Sequence, residues 1–275
     1  QGSASAGTVT ITNTTASQTV AFGGNLTVTG TITANAGNAY NVSLTGSSNS
    51  VTGLGTFSNG GTLVIGAADV AVNLFSGGLT ATAPTSVTLR GAVRTAGTAI
   101  SLGAVSLAAA AGSAITIDSS NNGGSANGAN ITIASIAGNG RSLNLYSRNG
   151  TTQVNGAALN LNVLTLHDNN AASTGLMRFN GALGSSGNEV GTVTTQAQGY
   201  AIELNGNGRV TNAVAFSNTG GVTIAAGLVA LAGISSTTGG TNSFQGTVAT
   251  DGAAGHDIGL SNLTVGAGGL SLDAG

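Results

Sequence analysis

Two His-Asp pairs, His167-Asp168 and His256-Asp257, are the first residues whose types invite chemistry. A histidine beside a carboxylate can shuttle a proton or begin a metal site. A metal site needs three or four converging ligands. Only two histidines exist, 89 positions apart, and cysteine is absent. The spacing therefore predicts surface histidines, with no metal and no cofactor. Glycoside hydrolysis needs two carboxylates about 5–10 Å apart. Asp168 with Glu189 or Glu203 is the candidate pair, drawn from only eight acids. Sugar-stacking aromatics are sparse: Tyr40, Tyr146 and Tyr200, with no tryptophan. The expectation is a protein that is not an enzyme, and a carbohydrate-binding or carbohydrate-cleaving secreted β-helix is the alternative.

Half of the charged residues fall within 141–209: Arg141, Arg148, Asp168, Arg178, Glu189, Glu203 and Arg209. Loops carry binding residues more often than the elements they join. His167, Asp168, Arg178 and Glu189 are accordingly the candidate partner-contact residues. They lie in a stretch, 167–200, that reads as an irregular loop or a widened coil.

The elements that must position these residues are repetitive. Val9-Thr10-Ile11, Leu26-Thr27-Val28, Val42-Ser43-Leu44 and Val87-Thr88-Leu89 share an apolar–polar–apolar pattern. It returns at Ile131-Thr132-Ile133, Leu143-Asn144-Leu145, Leu159-Asn160-Leu161, Ile202-Glu203-Leu204, Val222-Thr223-Ile224 and Leu263-Thr264-Val265. Alternation with period two predicts strands. Copies starting at 100, 115, 131, 143 and 159 make a persistent internal repeat. Asn-Gly pairs at 59, 127, 149, 155, 180 and 205 mark corners, where positive φ is tolerated.

Composition selects among all-β architectures. Of 275 residues, 40% are hydrophobic but only 3% aromatic, and 5% are charged. A sandwich wants strands of about 5–6 residues and large core side chains. A solenoid stacks short strands about 4.8 Å apart around a narrow aliphatic interior, with Gly and Asn at its corners. The prediction is one solenoid domain over 1–275, a right-handed parallel β-helix of about ten coils with roughly 20–30 residues each. The irregular step lengths favour the right-handed form. Phe22, Phe57, Phe75, Phe179, Phe216 and Phe244 are expected in the core, and the tyrosines near corners with their hydroxyls in water.

Net charge of -2, with no lysine, argues against nucleic acid. No apolar run reaches the ~18 residues of a membrane span. With so few charges, a solenoid with open ends invites self-association. Val9 and Ile11 at one end, and Leu263, Val265, Leu270 and Leu272 at the other, are the candidate stacking residues. The expected partner is another copy or a continuation of the same longer chain.

The phrases GNLTVTG, NVSLTG and GGLTATA, and DIGL followed by GGLSL, resemble the repeats of filamentous-haemagglutinin-like and autotransporter-passenger bacterial surface-fibre proteins. The resemblance spans nearly the whole chain as a repeat style and carries no catalytic residue. It implies a secreted β-helix at the bacterial cell surface or outside it, serving as a fibre subunit or adhesin shaft, with a glycan or a host or neighbour-cell surface as a further partner.

Overall fold

A computed structural model describes residues 2–12, 15–166, 173–236 and 239–275. The apolar–polar–apolar triplets form its strands. Every strand ladder between them is parallel, and the described chain winds into a parallel β-helix of about 11 turns. At about 4.8 Å per coil the rod is ~50 Å long.

Each full coil contributes one segment to each of three faces. The first face begins Ala4–Ala6, Leu26–Val28, Ser48–Val51, Val72–Phe75. The second begins Val9–Ile11, Ile32–Ala34, Gly55–Phe57, Leu79–Ala81. The third begins Thr19–Phe22, Asn41–Leu44, Thr62–Ile65, Ser86–Leu89. A three-residue strand has too few bonds to persist alone. Here each one is bonded to the coil before and the coil after, so short length costs little.

Alternation decides what each strand buries. In Leu26–Val28 the outer two residues point inward and Thr27 points out. Parallel register then places like on like. Val42 stacks on Leu63 and Leu63 on Val87, while Leu44 stacks on Ile65 and Ile65 on Leu89. All six are fully buried. Phe57, Phe75, Phe179, Phe216 and Phe244 are buried as expected, and Phe22 on the first coil is partly buried.

Four features depart from the sequence reading. Coil length varies more widely than expected, from 18 residues between Val87 and Val105 to 31 between Ile100 and Ile131. Some strands run through a corner, most visibly Ile131–Tyr146. The Asn-Gly pairs do lie at corners or in loops, but only Gly128 among their glycines has a positive φ. Gly181 and Gly206 are required by proximity instead. A Cβ on Gly181 would stand 2.3 Å from the carbonyl carbon of Gly156, and one on Gly206 2.4 Å from that of Gly181.

The tyrosines are the fourth departure. Tyr40 and Tyr200 are wholly buried. The Tyr40 hydroxyl donates to Asn35 O at 2.7 Å, and the Tyr200 hydroxyl to Leu166 O at 2.6 Å. A phenol can be buried when a corner carbonyl accepts its proton. One coil further on, a buried asparagine brackets each tyrosine. Asn59 Nδ2 donates to Tyr40 O and Thr62 O, and Asn218 Nδ2 to Tyr200 O and Gly221 O. Both asparagines end a Phe-Ser-Asn sequence, at 57–59 and 216–218.

Packing is tight enough to be tested locally. Gly55 occupies an inward position between Ile32 and Leu79. The Phe75 ring fills the space above it, edge-on to Phe57 with centroids 6.3 Å apart. A Cβ at Gly55 would meet Phe75 Cδ1 at 2.6 Å. Gly55→Val is therefore expected to destabilise by about 1–3 kcal/mol through overpacking. Adding Phe75→Leu should restore part of that loss. Urea melts of the two single variants and the double variant check the coupling, and additive losses would contradict it.

Candidate functional site

Charge is the scarcest commodity in this chain, and most of it runs from coil to coil. Arg90 Nε meets Asp69 Oδ1 at 2.7 Å, Arg178 Nε meets Glu203 Oε2 at 2.5 Å, and Arg209 Nε meets Glu189 Oε1 at 3.0 Å. Arg94 Nε stands 3.9 Å from Asp118 Oδ2. The partners are separated in sequence by about one coil, so each pair links neighbouring coils; the first three lie on the outer surface, and the Asp118 carboxylate is buried.

The candidate partner-contact residues find separate places. His167 and Asp168 lie outside the described residues. Arg178 is in the strand Leu176–Phe179, between Gln153 and Glu203 in the parallel ladder. Glu189 lies in the next corner, held by Arg209 and by the Gly187 amide at 3.0 Å. Arg178 and Glu189 thus belong to two different ion pairs. Within the described part of 167–200, Leu176–Phe179 and Thr192–Thr195 pair in register with the coils on both sides. Glu189 also faces an open polar cleft, lined with Gly140, Asn160, Asn162, Gly191 and Thr211.

His256 Nδ1 lies 2.5 Å from Asp251 Oδ1, so its contact is with Asp251 and not with the adjacent Asp257. Among the described residues no three His, Cys, Asp or Glu side chains converge as a metal site. No helix among them is long and apolar enough to cross a membrane.

One constellation had escaped the sequence reading. Where the coil lengthens, residues 119–130 leave the first face as a loop. Asp118 at its base is fully buried and accepts from Ser120 N, Ser120 Oγ and Asn122 N at 2.5–2.7 Å. Arg148 on the following coil reaches back. Its Nη1 donates to Ser125 O at 2.7 Å and Ala126 O at 2.9 Å, and its Nη2 to Gly123 O at 3.1 Å. The run Asp-Ser-Ser-Asn-Asn-Gly-Gly at 118–124 was the available signal, since Asp, Asn and Ser favour bonds to nearby backbone.

The two ends of the rod form the remaining surface. The last rung is Ile258–Leu260 with the two segments of Leu263–Asp273, and each pairs only with the coil before it. Leu263, Val265 and Leu272 are 38%, 54% and 52% exposed. Only Leu54 and Val70 are comparable exposed large hydrophobics elsewhere among the described residues. Leu270 is partly buried. At the other end Ile11 is 6% exposed, while Val9, Val20 and Phe22 are partly buried.

The fold is that of a parallel β-solenoid. Comparison with protein-family models, with curated proteins and with solved structures finds no match.

Two predictions follow from the charges. Hydrogen bonds from Arg90 hold Asp69 below the ordinary carboxylate range, amides at 189 and 187 with Arg209 do so for Glu189, and the Ala253 amide with His256 for Asp251. Each group then gives up its proton more readily folded than unfolded. The stability it supplies is present above about pH 4 and lost as pH falls further. Thermal melts between pH 5 and 2 should show this fall. It should be shallower in the triple variant Asp69→Asn, Glu189→Gln, Asp251→Asn. Separately, Arg148→Ala should open 119–130 to a nonspecific protease at least about tenfold faster, given roughly 1.5–3 kcal/mol for the lost charged hydrogen bonds. Mass spectrometry of the first fragments locates the cut.

Proposed function

We propose that this chain is a non-enzymatic structural protein: a stiff β-helical rod that extends by adding rungs at its open ends. It acts as a fibre subunit or adhesin shaft, outside the cell or on a bacterial surface. The repeat phrases that resemble surface-fibre proteins support the setting. The observation that carries the reading is the last rung, where Leu263, Val265 and Leu272 project unpaired strand edges and apolar side chains together. Exposed strand edges recruit further strands unless they are covered or charged. Asp273 is the nearest charge on that rung, and it follows the inward-facing residues in sequence.

That rung fits either a second copy of the chain, joined head to tail, or the next coil of a longer chain. Ala4 and Val9 on the first rung are five positions apart, as are Ile258 and Leu263 on the last. A joint would place Ala4–Ala6 on Ile258–Leu260 and Val9–Ile11 on Leu263–Val265, and would continue both faces in the sense of every internal ladder. Small Ala4 and Ala6 would meet large Ile258 and Leu260. Such a contact is heterologous and does not close on itself, so it builds a filament. The same rung geometry serves where a longer chain supplies the next coil.

Negative-stain microscopy and sedimentation of the purified chain test this. Rods with lengths in multiples of ~50 Å are expected, their fraction rising with concentration. Val265→Pro removes an N–H that faces away from the preceding coil and should leave single rods. Single rods at every concentration in the unaltered protein, or filaments that persist in Val265→Pro, would refute end-to-end pairing.

A further inference from the structure

Asparagine side chains in this protein are mostly spent on the next coil. Asn49 Nδ2 donates to Asn73 Oδ1 at 2.7 Å, and Asn73 Nδ2 in turn to Ala92 O at 3.2 Å. On the surface Asn205 Nδ2 donates to Asn180 Oδ1 at 2.9 Å, and Asn180 Nδ2 to Asn155 Oδ1 at 3.3 Å. Asn160 and Asn162 break this habit. Both are exposed, and neither side-chain amide bonds to a described residue. They lie together on the wall of one cleft of about 290 Å³, with Glu189 and Thr211. The Thr211 hydroxyl is likewise unspent on described residues. The Arg209 and Gly187 bonds to Glu189 both fall on Oε1.

Asn160 has a φ of +53°, in the left-handed region that asparagine enters more readily than most side chains, as Asn121, Asn122, Asn139 and Asn262 also do here.

The chemistry of the walls narrows the ligand. Two amides both donate and accept, a hydroxyl does either, and a carboxylate accepts. Arg209 at 3.0 Å offsets the charge of Glu189, which disfavours a divalent cation that wants several carboxylates. An anion would find no cation among the lining residues, and Arg209 is already held by Glu189. No aromatic or large aliphatic surface is offered beyond Leu161. We propose that this cleft binds a neutral polyhydroxylated ligand, a hexopyranose unit of a glycan. Vicinal hydroxyls would donate to Glu189 Oε2 and exchange bonds with Asn160, Asn162 and Thr211. Gly140 and Gly191 line the same wall without side chains, which lets the ring approach backbone. The volume is at the lower limit of small-ligand pockets, roughly 300 Å³, so one sugar residue fills it. Without aromatic stacking the affinity should be weak, with Kd about 1–10 mM.

This proposal stands apart from end-to-end extension, because the cleft lies on the side of the rod. The test is amide chemical-shift titration of the full 275-residue chain with the methyl glycosides of glucose, galactose, mannose and N-acetylglucosamine. Saturable shifts around 160–162, 187–191 and 211 are expected with at least one of them. Asn160→Gly relieves the φ and removes only the amide. It should weaken binding about five- to tenfold while the thermal midpoint stays level or rises, which a purely structural role for Asn160 would not produce. Thr211→Val should weaken binding similarly, and Asn180→Ala, in the surface ladder, should leave it unchanged. No saturable shift with any glycoside, equal binding in the cleft variants, loss of binding in Asn180→Ala, or saturation of the cleft by Ca²⁺ in place of sugar would overturn it.

Discussion

The hydrogen bond between a strand and its counterpart one coil later governs this structure. Because every ladder is parallel, a residue's neighbours above and below occupy the same position in their own coils. That single constraint makes the core a set of columns. An apolar position favours an apolar column, and a polar inward position needs hydrogen-bond partners along its column or at a neighbouring corner, as Asn242 finds in Ser236 and Ser261. Asn49 shows the second case. It accepts from the Leu26 amide at 2.9 Å and donates to Asn73, which hands the chain on to the Ala92 carbonyl. Two buried amides are tolerated because neither ends on an orphaned group.

The same constraint explains why so few charges suffice. A surface ion pair is ordinarily worth little, because two long side chains must be held in one geometry. Here the strands already hold the backbones one coil apart. Arg178 and Glu203 are direct ladder partners, and Arg178 also reaches Gln153 on the other side at 3.4 Å. The columns of Asn155, Asn180 and Asn205 do the same work without charge. Threonine, serine and asparagine can therefore replace the lysine and glutamate of an ordinary surface. The surface stays hydrated, and little like-charge repulsion keeps copies apart.

The columns were legible in the sequence because alternation with period two states which residues point inward. Triplets such as Leu26-Thr27-Val28 and Val222-Thr223-Ile224 are the strands observed. The stacking candidates Leu263, Val265 and Leu272 are on the outer rung, since the triplets also order the coils. Positions that depend on the third dimension were not legible. Tyr40 and Tyr200 look like corner residues by type, and only the proximity of the Asn35 and Leu166 carbonyls permits their burial. The repeated Phe-Ser-Asn that brackets them was visible in the sequence but had no meaning until Asn59 and Asn218 were placed one coil beyond a tyrosine. The glycines after Asn155, Asn180 and Asn205 suggested unusual φ, whereas coil-to-coil approach is what excludes a side chain there. Arg178 and Glu189 stood out as charges, but their separate partners follow from coil length, which the uneven triplet spacing left undetermined.

Coil length itself points to where such a rod can acquire function. The faces must keep register, so an added residue cannot remain within a face and must leave at a corner. The 31-residue step from Ile100 to Ile131 emerges as the loop 119–130, and that loop is costly unless its backbone finds partners. Asp118 at the base of the loop and Arg148 on the following coil supply them. The corner at 184–189 follows the same rule with Glu189 and Arg209, and there the wall it forms with Asn160 and Asn162 remains open. Faces therefore carry stiffness, and corners are free to vary in shape and polarity. A ligand site on the side of this rod has to lie where coils change length, and the cleft beside Glu189 is such a place.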